Sequence, residues 1–333
     1  MDQKRLIFII SSPRSGSTML QRMLGSHSEI FTHPEPHLVT PLNYLGYFNT
    51  VEKAPYDHIN AGQAVRELVE ELPRGEEDYL DALRAYTNTI YGRLSETHGS
   101  QYFLDKTPAY GLVLPFLEKL YPKAHYVVLT RHPMAVHHSV AHSFFDGNYT
   151  QAMNDNPIVR DYVPAIGEFL RRQAVSMVRV RYEDLTTNPE TEMKRIAQHI
   201  GLNFEPDLVT YGNKNHITKS FGDPMTVHKH DKPVTDSIHT WASDLKARPH
   251  DLQAAQELLR GLAPEDLEAW GYPLAEFWES MGEADGSATA RASINAYRVK
   301  KQVLHVLRRN IHENTLGRVV KKVRYYCDVL LRT

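Results

Sequence analysis

Eight small or polar residues, Ser11-Ser12-Pro13-Arg14-Ser15-Gly16-Ser17-Thr18, join an apolar run at Lys4–Ser11 to a helix-patterned run at Thr18–Leu24. Met19, Leu20, Met23 and Leu24 fall on one stripe at helical spacing. A buried strand that passes through a short polar turn into a helix is the opening unit of a parallel α/β sheet. The same turn converges backbone N–H groups at the positive end of a helix, which makes an anion cradle. Its spacing fits G-x-x-x-x-G-K-[ST], but Ser11 stands for the first glycine and Ser17 for the lysine. That lysine reaches the β- and γ-phosphates of a nucleoside triphosphate, so its loss disfavours an ATP or GTP hydrolase.

Further apolar runs at Tyr102–Leu104, His125–Thr130 and Met177–Arg181 read as strands. Helical patterns at Ala61–Glu71, Glu77–Thr97, Gly111–Leu120 and Glu190–Ile200 lie between or beside them, the last opened by Thr187-Asn188-Pro189 as a cap with proline in the first turn. Alternating strands and helices predict a P-loop-like parallel sheet with helices on both faces. Pro34, Pro36 and Pro41 mark the segment after the first helix as a loop over the top of the sheet. With 333 residues, 41% hydrophobic and 23% charged, the chain is ordinary globular protein. Its apolar runs are strand-sized, so no transmembrane segment is expected. One cysteine, Cys327, excludes an internal disulfide and a cysteine-based zinc site. Together with an N-terminus that runs straight into the first strand, this predicts a cytoplasmic protein.

The net charge of −2 is unevenly placed. Residues 286–333 hold 11 Lys and Arg against 2 acidic residues, leaving 27 against 38 in the rest. We therefore divide the chain into a main domain at 1–280, a small polar linker at 281–293 and a basic amphipathic helical tail at 294–333. The tail suits a partner protein, a second subunit or a membrane surface, or packing on the acidic body. No nucleic-acid partner is expected.

Two motifs carry a family resemblance. Pro13-Arg14-Ser15-Gly16-Ser17-Thr18 resembles the 5′-phosphosulfate loop of the sulfotransferases that use 3′-phosphoadenosine 5′-phosphosulfate (PAPS) and release 3′-phosphoadenosine 5′-phosphate (PAP). Val127–Ser139 resembles their 3′-phosphate motif, which implies that Arg131 and Ser139 grip the 3′-phosphate. An arginine fork suits a group that must be told from a hydroxyl. By the same resemblance Tyr182 lies by the adenine, and Phe221-Gly222-Asp223-Pro224 with Trp241 belongs to a loop over the nucleotide. The closest motif likeness is to tyrosylprotein sulfotransferases and to sulfotransferase domains of bacterial polyketide synthases.

Sulfuryl transfer needs in-line oxygens, cations for the leaving phosphate and a base for the acceptor hydroxyl, and requires no metal. The resemblance assigns Arg14 and Lys106, in Leu104-Asp105-Lys106-Thr107-Pro108, as the cations. It puts Glu35 at the base position, with His37, His228 and His230 as rivals. His33-x-Glu35-x-His37 and His228-x-His230 also fit as metal ligands, but neither supplies a third anchored ligand.

Loops at residues 37–60 and 144–165, with Tyr44, Tyr47, Phe48, Phe144, Phe145 and Tyr149, are expected to form an apolar acceptor pocket. The expected acceptor is a small-molecule or carrier-bound hydroxyl, ranked as natural-product or lipid-like alcohol, then carbohydrate, then protein tyrosine. Two other functions compete. A P-loop kinase for a small metabolite would need a lysine at position 17 and a Walker-B-like aspartate, and an inactive sulfotransferase-fold binding protein would not need Arg14, Lys106, Arg131 and Ser139 intact.

Overall fold

The computed structural model of the chain describes residues 1–51, 54–213 and 230–281. The first half runs β1 (Leu6–Ile10), α1 (Ser17–Gly25), β2 (Ile30–Pro34), α2 (Val39–Asn43), α3 (His58–Glu70), α4 (Glu76–His98), β3 (Tyr102–Lys106) and α5 (Leu114–Leu120). Then come β4 (His125–Thr130), α6 (Pro133–Phe144), α7 (Tyr149–Asp155), α8 (Ile158–Arg172), β5 (Met177–Arg181), α9 (Tyr182–Thr187) and α10 (Pro189–Ile200). The described part ends with α11 (Thr240–Ala247), α12 (Pro249–Arg260) and α13 (Pro264–Trp270).

The five strands form one parallel sheet in the order β2-β3-β1-β4-β5. β1 is central, and all five of its residues are buried. Strand side chains alternate between faces, and so does the core. Ile7, Ile9, Val127, Leu129 and Val180 pack with α1, α9 and α10, whereas Leu6, Phe8, Tyr126 and Val128 pack with α4, α5, α6, α8 and the late helices. Both faces are covered, which is why the strands read as continuous apolar runs rather than alternating ones.

One expectation is corrected. The segment after the first helix is not a loop, because Ile30–Pro34 forms β2 and pairs with β3 from Ile30↔Tyr102 to Pro34↔Lys106. Only Pro34 of the three prolines lies in the strand, as its last residue, and a strand at the edge of a sheet tolerates a residue without an N–H. Gln21 on α1 fixes this edge, donating to Thr32 Oγ1 at 2.8 Å and to the His33 carbonyl at 3.0 Å. The 37–60 segment likewise holds helices rather than loop alone, and 144–165 holds α7 and much of α8. The linker beyond Met281, the basic tail, the Phe221–Pro224 loop, His228 and Cys327 lie outside the described residues.

Phe8 sits at 0% exposure, with its ring 5.5 Å from that of Tyr121 and 5.6 Å from that of Tyr126. Phe8→Ala should destabilise the fold by about 3–5 kcal/mol, read as a lower midpoint in chemical unfolding followed by circular dichroism.

Candidate active site

The ends of β1, β3 and β4 and the residue after β2 open into one cavity of about 610 Å³. Its floor is the β1–α1 turn. Gly16 caps α1 at φ 89°, in the left-handed region, and no side chain caps the helix there. The Met19 and Leu20 N–H groups return to the Gly16 carbonyl at 3.0 and 3.2 Å, so the positive end of α1 opens directly at the turn. A Cβ on Gly16 would stand 2.6 Å from the Tyr182 ring, so glycine is required by contact as well as by dihedral angle. Pro13, Arg14, Gly16, Ser17 and Thr18 line the cavity. Ser15 does not: it is fully buried, and its hydroxyl meets that of Ser12 at 2.6 Å, inside the turn.

The second motif reaches the same turn. Arg131, at the end of β4, donates to the carbonyl of Arg14 at 3.0 Å and to that of Ser237 at 3.1 Å. Arg14 Nε in turn donates to Ser139 Oγ at 3.0 Å, from α6. The three residues assigned to the two ends of the cofactor thus form one hydrogen-bonded chain, though 125 positions separate Arg14 from Ser139. Arg131 Nε is buried without a partner among the described residues, which fits a guanidinium that awaits an acceptor. The Arg131 guanidinium lies 4.4 Å from the centre of the Tyr182 ring, and the Tyr182 and Ser237 hydroxyls are 2.9 Å apart. Trp241 does not face the cavity. It is buried and stacks 4.2 Å from His132. Burial lowers the His132 imidazole to about 3, so it is neutral, its Nδ1 accepting from the Met134 N–H to start α6.

Lys106 ends β3 at 0% exposure and donates to Glu35 Oε1 at 2.7 Å and to Thr18 Oγ1 at 3.4 Å. A cation, a carboxylate and the cradle hydroxyl therefore share one point. His37 Nε2 lies 3.8 Å from Glu35 Oε2, and both residues line the cavity, as does His230. Glu35 and His37 hold positive φ angles of 36° and 53°. Such angles are costly without glycine and persist only where the surroundings enforce them. Here the enforcement is visible. The His37 N–H donates to Thr107 Oγ1 at 3.3 Å, and the Val39 N–H to the Tyr110 hydroxyl at 3.2 Å. Both hydroxyls donate onward to Asp105, at 3.0 and 2.9 Å, and the Tyr91 hydroxyl adds a third bond at 2.6 Å.

Asp105, Tyr91 and Tyr110 were not singled out in the sequence. The available signal was a carboxylate inside a strand, which needs buried donors. Tyr162, also missed, lines the cavity as a protonated phenol whose pKa burial, then Asp161 and Glu35, raise to about 12. None of the six aromatic residues expected to form an acceptor pocket is among the cavity's described lining. Tyr47 and Phe48 pack with Tyr79, Tyr149 is buried, and Tyr44 and Phe144 face solvent. The His33-x-Glu35-x-His37 pattern is not assembled as a metal site, because Lys106 takes Glu35 and His33 Nδ1 sits 3.0 Å from the Pro34 carbonyl.

A parallel sheet whose strand ends gather an anion cradle, an arginine chain and a buried lysine defines a class of α/β proteins suited to receive an anionic group. The comparisons narrow the class. The model of the sulfotransferase family matches residues 6–206, more than half of the chain, and the chain belongs to that family. It is 26% identical over 265 residues to the nodulation protein NoeE of Sinorhizobium fredii, an alignment covering 72% of this chain and 60% of that protein's length. It is 22% identical over 210 residues to a putative protein-tyrosine sulfotransferase of Caenorhabditis briggsae, covering 62% of this chain and 69% of that protein. Among solved structures it is similar to the sulfotransferase domain of the Synechococcus PCC 7002 olefin synthase, at 27% identity and a TM-score of 0.51, covering 78% of this chain and 95% of that domain. No helix among the described residues is long and apolar enough to cross a membrane.

Burial lifts the Asp105 carboxyl to about 6 despite its hydroxyl donors. The folded carboxyl then holds its proton more tightly than the unfolded one, so its contribution to stability is complete below 3.8 and lost as pH rises through about 6. Asp105→Asn removes that loss. Thermal unfolding of both proteins should show the wild type more favoured, relative to the variant, at pH 4.5 than at pH 7; an equal gap at both would contradict the assignment.

Proposed function

We propose that the protein transfers the sulfuryl group of PAPS in line onto an acceptor hydroxyl and releases PAP. The observation that carries this reading is Lys106 Nζ, fully buried and hydrogen-bonded both to the cradle residue Thr18 and to Glu35. A cradle alone fits many phosphate ligands. A cradle that shares its lysine with a carboxylate fits a reaction in which negative charge builds on a leaving phosphate while a hydroxyl loses its proton.

In this reading the β1–α1 turn and Arg14 hold the 5′-phosphosulfate end, and Arg131 and Ser139 hold the 3′-phosphate. Tyr182 lies beside the Arg131 guanidinium and suits a planar base. The acceptor oxygen forms its bond to sulfur as the bond from sulfur to the bridging oxygen of the 5′-phosphate breaks. The acceptor proton passes to Glu35, and His37, 3.8 Å from the other carboxylate oxygen, is placed to relay it onward. Arg14 and Lys106 balance the charge left on the phosphate. In this reading, groups held in place by their own hydrogen bonds before the donor binds lower the reorganisation part of the barrier.

Met19, Pro108, Ala109 and Tyr162 give part of the cavity an apolar wall. This supports a natural-product, lipid-like or carrier-bound alcohol as acceptor, as does the likeness to a domain of an olefin synthase. A carbohydrate and a protein tyrosine rank behind it.

Calorimetric titration tests the donor site. PAP should bind the wild type, ATP and ADP should bind far more weakly, and Arg131→Ala should cost at least about 10-fold in PAP affinity, the loss of one charge-assisted contact. ATP with Mg²⁺ binding better than PAP would replace this reading with the kinase one.

A further inference from the structure

One residue before Ser139, a second polar cluster joins three helices. His138 and His142 lie one turn apart on α6 and so share a face, with ring centres 4.3 Å apart. Asp244, from α11, brings Oδ2 to 2.9 Å from His142 Nε2 and 3.5 Å from His138 Nδ1. The three donor atoms all lie within 4.8 Å of one another. Tyr149, the first residue of α7 and fully buried, puts its hydroxyl 2.5 Å from His138 Nδ1 and 3.1 Å from Asp244 Oδ2.

We propose that His138, His142 and Asp244 bind a divalent first-row transition metal, zinc by their donor set, with a fourth position for water beside the Tyr149 hydroxyl. Two imidazoles and one carboxylate around an open fourth position are a standard zinc donor set. Bonds of about 2.1 Å in a tetrahedron hold ligand atoms about 3.4 Å apart, a spacing that falls between the 2.9 Å hydrogen-bonded contact of His142 Nε2 and the 3.5 Å contact of His138 Nδ1 with Asp244 Oδ2. The carboxylate is also held in the manner of a metal ligand. Its second oxygen, Oδ1, faces Arg248 Nε at 3.3 Å, and Arg248 is itself fixed by the Gly147 carbonyl at 3.3 Å. Outer partners of this kind orient ligands and tune affinity.

The site has a structural consequence. α6 carries Ser139, and α11 continues from Ser237 and Thr240, which line the cavity. A metal shared by His138, His142 and Asp244 fastens these two walls together, whether or not the bound cofactor is PAPS.

The test uses the full-length protein after chelation, titrated with Zn²⁺ by calorimetry and with Co²⁺ by visible absorption. The wild type should bind one equivalent that gives a visible Co²⁺ band of low-coordinate geometry and raises the unfolding temperature. Asp244→Asn and His142→Ala should each weaken that equivalent by about 100-fold or more and abolish its thermal effect. His142 is 40% exposed, so its truncation leaves no buried void, and circular dichroism checks that both variants are folded. No tight equivalent in the wild type, or the same stoichiometry and affinity in the folded variants, would overturn the proposal and assign any binding to others of the 18 histidines.

Discussion

A fully buried ammonium at the end of a central-sheet strand is tolerable only if a negative charge and hydrogen-bond acceptors meet it, and Lys106 meets both in Glu35 and Thr18. The rest of the site follows from that pairing. β2 pairs with β3 in register, Pro34 opposite Lys106, so the next residue along, Glu35, arrives beside the Lys106 ammonium. To turn back toward the cavity the chain adopts two left-handed residues, and the Asp105 network of hydroxyls holds the N–H groups that follow. The catalytic proposal and the local fold therefore rest on one buried contact.

The position of the site is a property of the sheet. In an open parallel sheet, ligands lie beyond the carboxyl ends of the strands. β1 delivers the cradle, β3 the lysine and β4 the arginine, all at that end. The β1–α1 turn supplies rigid N–H donors, while Arg131 reaches across from β4 to grip the turn's own backbone at Arg14. Packing on both faces makes these strand ends stiff, since Phe8 and its tyrosine neighbours fill one side and α1 and α10 the other.

Much of this was legible because it is local. A polar turn between two apolar runs states its own geometry, and Arg131 to Ser139 repeats the pattern one strand over. Helices with clear stripes, Glu76–His98 and Pro189–Ile200, differ from the reading by a residue or so at their ends. β2 was not legible, because it ends on Pro34 with Pro36 close behind, and a proline there is permitted only by a place at the sheet edge that no local pattern reveals. The Asp105 network and Tyr162 were hidden for a related reason: their meaning depends on partners from distant segments, as in Tyr91 on α4. The acceptor aromatics failed because aromatic content does not separate a core residue such as Tyr149 from a cavity wall.

The central claim is that Glu35 and Lys106 serve sulfuryl transfer rather than hold a strand end. It is tested most directly by following PAP release from PAPS in the presence of a panel of long-chain alcohols and hydroxyacyl thioesters, with wild type and Glu35→Gln side by side. The account predicts acceptor-dependent PAP release with sulfated product, and a fall of about 10²–10⁴-fold in turnover for the variant at unchanged PAP affinity. PAPS left intact with every acceptor, or equal turnover by the two proteins, would contradict it.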